Sequence, residues 1–103
     1  MSDAVSPGRA VALRVIQRVR EGAYADRAFA AEARRARLDS RERSFAMQLA
    51  YGTVQRARTL DWMIDQVVDR PKGLESPVRE VLRLGAYQLA FLDGVAPPAA
   101  VDQ

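Results

Sequence analysis

Val81-Leu82-Arg83-Leu84-Gly85-Ala86-Tyr87-Gln88-Leu89-Ala90-Phe91-Leu92, followed shortly by Ala96-Pro97-Pro98-Ala99-Ala100-Val101, is the part of the chain that decides the fold. At about 100° per residue, Val78, Val81, Leu82, Gly85, Leu89 and Leu92 share one helical stripe. Leu84 and Phe91 lie well off that stripe, so the helix is apolar on more than one side and is expected in the middle of a bundle. Gly85 costs a helix interior about 1 kcal/mol against Ala, which predicts a second backbone passing close to it. The alternative is a glycine merely tolerated in a buried helix.

Working outward, the whole chain follows a helical period, with no alternating run long enough for a strand. Val11, Ala12, Val15, Ile16 and Val19 form the apolar face of a first helix, which begins after Pro7-Gly8, runs to about Glu21 and stops at Gly22. Arg14 and Arg18 project together from its other side. A second helix, from about Asp26 to Arg37, rests on Phe29, Ala30 and Ala33. Asp39 or Ser40 caps a third, and Glu42, three residues after Asp39, completes a candidate capping box. Phe45 and Leu49 share one side of this helix; Ala46, Ala50 and Val54 share another. Leu60, Met63, Ile64, Val67 and Val68 stripe a fourth helix, which stops before Pro71. Ser76 as N-cap and Pro77 at the first helical position open the fifth, which ends near Asp93-Gly94. The expected fold class is therefore all-α, a compact bundle of about five helices.

Pro98 has the character of a further helix start, five residues before Gln103. One turn cannot stand alone, because helix nucleation is costly. The polypeptide thus reads as a fragment, or an unusually short form, of a larger protein. Apolar surface left uncovered on the bundle is expected to favour self-association.

The chain has 103 residues, 49% of them hydrophobic, which suits one small domain. No stretch approaches the roughly 18 apolar residues of a membrane helix. The opening Met1-Ser2-Asp3-Ala4-Val5-Ser6-Pro7-Gly8 has neither a basic region nor an apolar run, unlike a signal peptide. With no Cys and no His, disulfides and thiolate or imidazole metal sites are excluded, and a cytoplasmic location is expected. Net charge is only +3, but residues 1–58 carry 12 Arg against 6 acids while residues 59–103 carry 4 basic residues against 7 acids. A basic N-terminal half points to a polyanionic partner.

Within that half, Arg34, Arg35, Arg37, Arg41 and Arg43 fall inside ten residues, joined by Arg56 and Arg58. Arg41 and Arg43 stand in the first turn of the third helix, where the helix dipole disfavours cations. A phosphate backbone would supply the missing reason, since each neutralised phosphate releases condensed counterions. The competing interpretation is a solvated surface in which Asp39 and Glu42 compensate the arginines. Arg9, Arg14 and Arg18 make a second candidate strip along the first helix. Asp61, Asp65 and Asp69 share a face of the fourth helix by spacing and are taken as solvated carboxylates. Phe45, Tyr51, Tyr87 and Phe91 are assigned to the core; Tyr24 and Trp62 are alternatives for base stacking, with packing preferred. No catalytic residue and no metal ligand set is identified.

Leu49-Ala50-Tyr51-Gly52-Thr53-Val54, Leu60-Asp61-Trp62-Met63-Ile64-Asp65, Arg70-Pro71, Leu84-Gly85-Ala86-Tyr87-Gln88-Leu89 and Pro97-Pro98-Ala99-Ala100-Val101 together resemble the NusB-like RNA-binding domain. The similarity runs from about Arg9 to the last residue. It is to the version found at the N-terminus of bacterial 16S rRNA cytosine-C5 methyltransferases of the RsmB (Sun/Fmu) type. Leu-Asp-Trp followed by Arg-Pro resembles that version more than the free-standing antitermination factor NusB.

The resemblance implies a flexible lead, residues 1–8, before a NusB-like RNA-binding domain over residues 9–103 that lacks its last helices. It implies RNA contacts at Arg9 and Arg43, which match basic positions of the family; with the arginine cluster and the strip on the first helix, the candidate RNA-binding set is Arg9, Arg14, Arg18, Arg34, Arg35, Arg37, Arg41, Arg43 and Arg56. At the last of these the family often has its Arg where this chain has Gln55, and a one-residue shift turns a helical side chain by about 100°. Catalysis in the family uses a cysteine thiolate and S-adenosylmethionine in a separate Rossmann-like domain. This chain has no Cys and no glycine-rich cofactor turn, so it is not expected to be an enzyme or to hold a cofactor by itself. The implied partner is 16S rRNA. Two alternatives are a free-standing antitermination factor and a structural helical domain that docks on its own enzyme and barely touches RNA.

Overall fold

Ser6 and Pro7 start the first helix. The Ser6 hydroxyl accepts the Arg9 amide at 3.1 Å, and Pro7, which has no N–H to leave unsatisfied, is its first residue. A computed structural model of the chain describes residues 6–68 and 76–92. Among them every regular element is helical: α1 (Pro7–Arg20), α2 (Ala25–Ala36), α3 (Ser40–Gln55), α4 (Ala57–Val67) and α5 (Ser76–Tyr87), the last running on into a π-helical turn, Gln88–Leu92. The all-α class and the five helices match the sequence periodicity. The chain divides within α3 into two compact units, residues 1–51 and 52–103.

In the first unit, α1 closes on Gly22 as expected. Gly22 takes φ +108°, its amide donates to the Val19 carbonyl, and the Ala23 amide donates to the Arg18 carbonyl. This is the glycine-terminated Schellman arrangement. The same closure ends α2, but there the left-handed position is held by Arg37 at φ 53°. Leu38 donates to Ala33 and Arg37 to Arg34.

Asp39 caps α3 by accepting the Glu42 amide at 2.8 Å. The second half of the expected capping box is absent: Glu42 turns away and accepts the Gly8 amide of α1 at 2.8 Å. A carboxylate thereby reaches the positive end of a helix that has no acid in its own first turn. Gly8 belongs to α1 rather than to the lead-in; a Cβ there would collide with Glu42 and Phe45, so this is a close-approach glycine. The core consists of Val11, Ala12, Val15 and Ile16 of α1, Ala28, Phe29 and Ala33 of α2, and Ala46, Leu49 and Ala50 of α3. Ala30, expected in the α2 face, is exposed.

In the second unit, Leu60, Met63 and Ile64 of α4 are buried with Leu84 and Tyr87 of α5. Val67 is 80% exposed, because α4 ends at that residue and Val68 is already extended. Val54, at the end of α3, is also exposed. The α5 stripe is inverted. Val78, Val81, Leu82 and Leu89 face outward, while Glu80, Leu84 and Tyr87 are 2%, 3% and 6% exposed. Among the described residues no backbone crowds Gly85, and a Cβ there would meet nothing within 4 Å.

The close approach lies instead at Gly52, whose absent Cβ would fall on the Tyr87 ring. Phe91, assigned to the core, is 41% exposed. The Ser76 cap, the α5 end near Asp93-Gly94, Asp69 and the further helix at Pro98 lie outside the described residues and side chains.

Candidate nucleic-acid interface

Glu32 decides which arginines of the first unit are available. It is 3% exposed and is set on α2 so that both carboxylate oxygens meet α1: Arg14 Nε donates to Oε1 at 3.0 Å and Arg18 Nη1 to Oε2 at 3.1 Å. Burial pushes the Glu32 carboxyl up, but the hydrogen bonds from Arg18 and Arg14, with the charge of Arg35, outweigh it and hold it below the usual carboxylate range. Sequence reasoning paired Arg14 with Arg18 correctly and missed Glu32, the reason they are paired. Both arginines are tied to a carboxylate while keeping their outer edges in solvent.

The α2–α3 connection is different. Arg34 and Arg35 occupy the last turn of α2, where cations favour the helix dipole. Arg37 sits in the left-handed cap, and Arg41 follows in the first turn of α3. All four are exposed. Arg34, Arg37 and Arg41 make no ion pair with any described residue. The two acids of the connection do not pair with them, because Asp39 and Glu42 accept backbone amides instead. A left-handed conformation costs a non-glycine residue about 1–2 kcal/mol. Folding alone would favour glycine at position 37.

Arg43 lies with its guanidinium carbon 5.0 Å from the centroid of the buried Phe29 ring, which meets Tyr51 edge-on at 6.0 Å. That contact gives a cation in the first part of α3 a favourable partner where no described acid pairs with it. Arg9 is half-buried beside the Ser6 cap. In the second unit, Arg56 approaches the Phe91 ring to 4.6 Å. Tyr24 and Trp62 are exposed, and Arg27 lies 5.6 Å from the Tyr24 ring.

The aspartates of α4 are not merely solvated. Arg83 grips Asp61 with two hydrogen bonds of 2.7 and 2.8 Å, and Arg79 bridges Asp61 and Asp65 at 3.1 and 3.2 Å. The Arg83 hydrogen bonds, aided by Arg79 and opposed by burial, hold the Asp61 carboxyl below its usual range. These contacts join α4 to α5. Among the described residues no group of acids is arranged to hold a metal, and no helix is long and apolar enough to cross a membrane.

An all-helical chain with basic residues concentrated on one unit is matched by the NusB family model over residues 6–103, and the chain belongs to that family. It is 42% identical over 84 residues to a "probable ribosomal RNA small subunit methyltransferase B" of Synechocystis, covering 81% of this chain and 19% of that protein. It is 38% identical over 94 residues to the ribosomal RNA small subunit methyltransferase B of Thermus thermophilus, covering 91% of this chain and 23% of the relative. A probable counterpart in Bacillus subtilis is 30% identical over 66 residues, covering 64% of this chain and 15% of the relative. The chain therefore spans about a fifth of the length of these relatives. No solved structure matches it.

Proposed function

We propose that the chain is the RNA-binding module of a 16S rRNA cytosine-C5 methyltransferase. It holds the rRNA while a separate domain of the same enzyme, the one that uses S-adenosylmethionine, acts on the base. The observation that carries this reading is the α2–α3 connection, where Arg34, Arg37 and Arg41 are exposed and make no ion pair with a described residue. Guanidinium groups so placed suit bidentate contacts to phosphate, and binding through them is governed by backbone charge and shape.

The names of the relatives favour a methyltransferase module over a free-standing antitermination factor. Reversing the charge at Arg34, Arg37 and Arg41 together is expected to remove most affinity for a small-subunit rRNA fragment. Reversal at Arg20 and Arg27, basic residues outside the proposed contact set, is expected to remove much less. Losses from the two variants in proportion to the number of charges reversed, three against two, would reduce the interaction to general attraction by net charge.

A further inference from the structure

Arg56, Phe91 and Tyr87 form a stack that the sequence does not announce, because the three belong to different elements. Arg56 is the residue between α3 and α4, Tyr87 ends α5, and Phe91 stands in the π-helical turn that follows. The Phe91 ring lies on the Tyr87 ring with centroids 5.2 Å apart and planes 25° from parallel. The Arg56 guanidinium carbon is 4.6 Å from the Phe91 centroid. Tyr87 is buried against Gly52, which fixes the inner end of the stack, whereas Phe91 is 41% exposed and Arg56 is exposed.

Phe91 follows Tyr87 by four residues, on the same side of the chain, and stands in a π-helical turn with its ring partly in solvent. Such turns occur frequently at functional sites. Arg56 makes no ion pair with a described residue, so its charge is not needed to neutralise an acid there.

We infer that Arg56 and Phe91 form a stacking platform for one unpaired nucleobase of the bound RNA. The inference rests on the proposed RNA-binding function and adds a different kind of contact. Planar guanidinium and aromatic groups accept any base on its π-face, without hydrogen-bond readout. Arg56 is thereby assigned to a base rather than to a phosphate. The platform suits single-stranded RNA, since a paired base is not free to stack on it.

The test is titration of a short single-stranded RNA carrying one fluorescent purine analogue, against the wild-type chain and Arg56→Lys. Lysine keeps the charge and the exposed position but has no planar surface. The expected result is an affinity loss of about fivefold or more, with loss of the analogue's quenching and an unchanged dependence on salt. Phe91→Leu should show the same pattern; if it disturbs the helix by circular dichroism, Arg56→Lys decides alone. Wild-type affinity in Arg56→Lys, or a loss accompanied by a shallower salt dependence, would overturn the platform and make Arg56 an ordinary cationic contact. Absence of RNA binding by the wild-type chain would overturn both the platform and the RNA-binding reading, whereas a silent Arg56→Lys in a chain that binds RNA overturns the platform alone.

Discussion

The ring of Tyr87 occupies the space into which a Cβ on residue 52 would project, so Gly52 and Tyr87 are a matched pair. They come from two separate motifs, Tyr51-Gly52-Thr53 and Gly85-Ala86-Tyr87. The requirement for a small residue in α3 is thus a requirement imposed by α5. Gly52→Ala is expected to destabilise the chain by about 1–3 kcal/mol, as overpacking of a filled core does. A double-mutant cycle with Tyr87→Leu should recover part of that loss, because the two residues share one space. Additive effects in thermal melts would show that the contact does not constrain Gly52.

Gly85 predicts the opposite sign. A Cβ there meets nothing within 4 Å, and the residue is interior to α5. Gly85→Ala should stabilise the chain by about 0.5–1 kcal/mol by reducing the entropy lost on folding. A lowered melting temperature would mean that the glycine is required by a contact outside the described residues.

The position of Arg37 predicts a conflict between folding and binding. Arg37→Gly should raise stability by about 1 kcal/mol, because glycine adopts the left-handed cap freely. The same change should weaken RNA binding and lower the slope of log affinity against log salt by about 0.7, the value of one phosphate contact on a single strand. Thermal melts and binding isotherms on one preparation check both halves. A gain in stability with no change in binding would leave the arginine without a role at that position.

Glu32 and Asp61 set the expected pH dependence. Both carboxyls are held below their usual values in the folded chain, so each contributes stability that is fully present above the unfolded value. That stability should disappear as pH falls below about 4 and through the lower folded values. Glu32→Gln, which keeps the shape and loses the charge, should cost about 1–2 kcal/mol at neutral pH, a figure held down by the solvent exposure of Arg14 and Arg18. It should also flatten the acid limb of the stability curve. An unchanged acid limb in this variant would place the titrating group elsewhere.

How much of this could be read from the sequence depended on how local the cause was. The stop of α1 at Gly22 is decided within a few residues and was legible; the sequence puts its start after Pro7-Gly8, whereas the helix begins at Pro7 behind the Ser6 cap. The outward face of α5 was misassigned because the helix is apolar nearly all round. Its buried side carries Glu80, a residue that a hydrophobic pattern places in solvent. The Gly52 contact and the Glu32 clamp were invisible for a different reason: each joins residues on different helices, and spacing along the chain does not say which helices meet. The arginine cluster was legible as composition. What separates Arg14 and Arg18 from Arg34, Arg37 and Arg41 is the location of a carboxylate on a neighbouring helix, which only the fold supplies.

The most direct test of the central claim is the salt dependence of RNA affinity, measured for the wild-type chain and for the Arg34→Glu, Arg37→Glu, Arg41→Glu variant. If the α2–α3 connection grips phosphates, wild-type affinity should fall steeply with salt, and the variant should bind weakly with a slope reduced by about 2, at roughly 0.7 for each of three lost contacts. Equal slopes and comparable affinities in the two proteins would contradict the account.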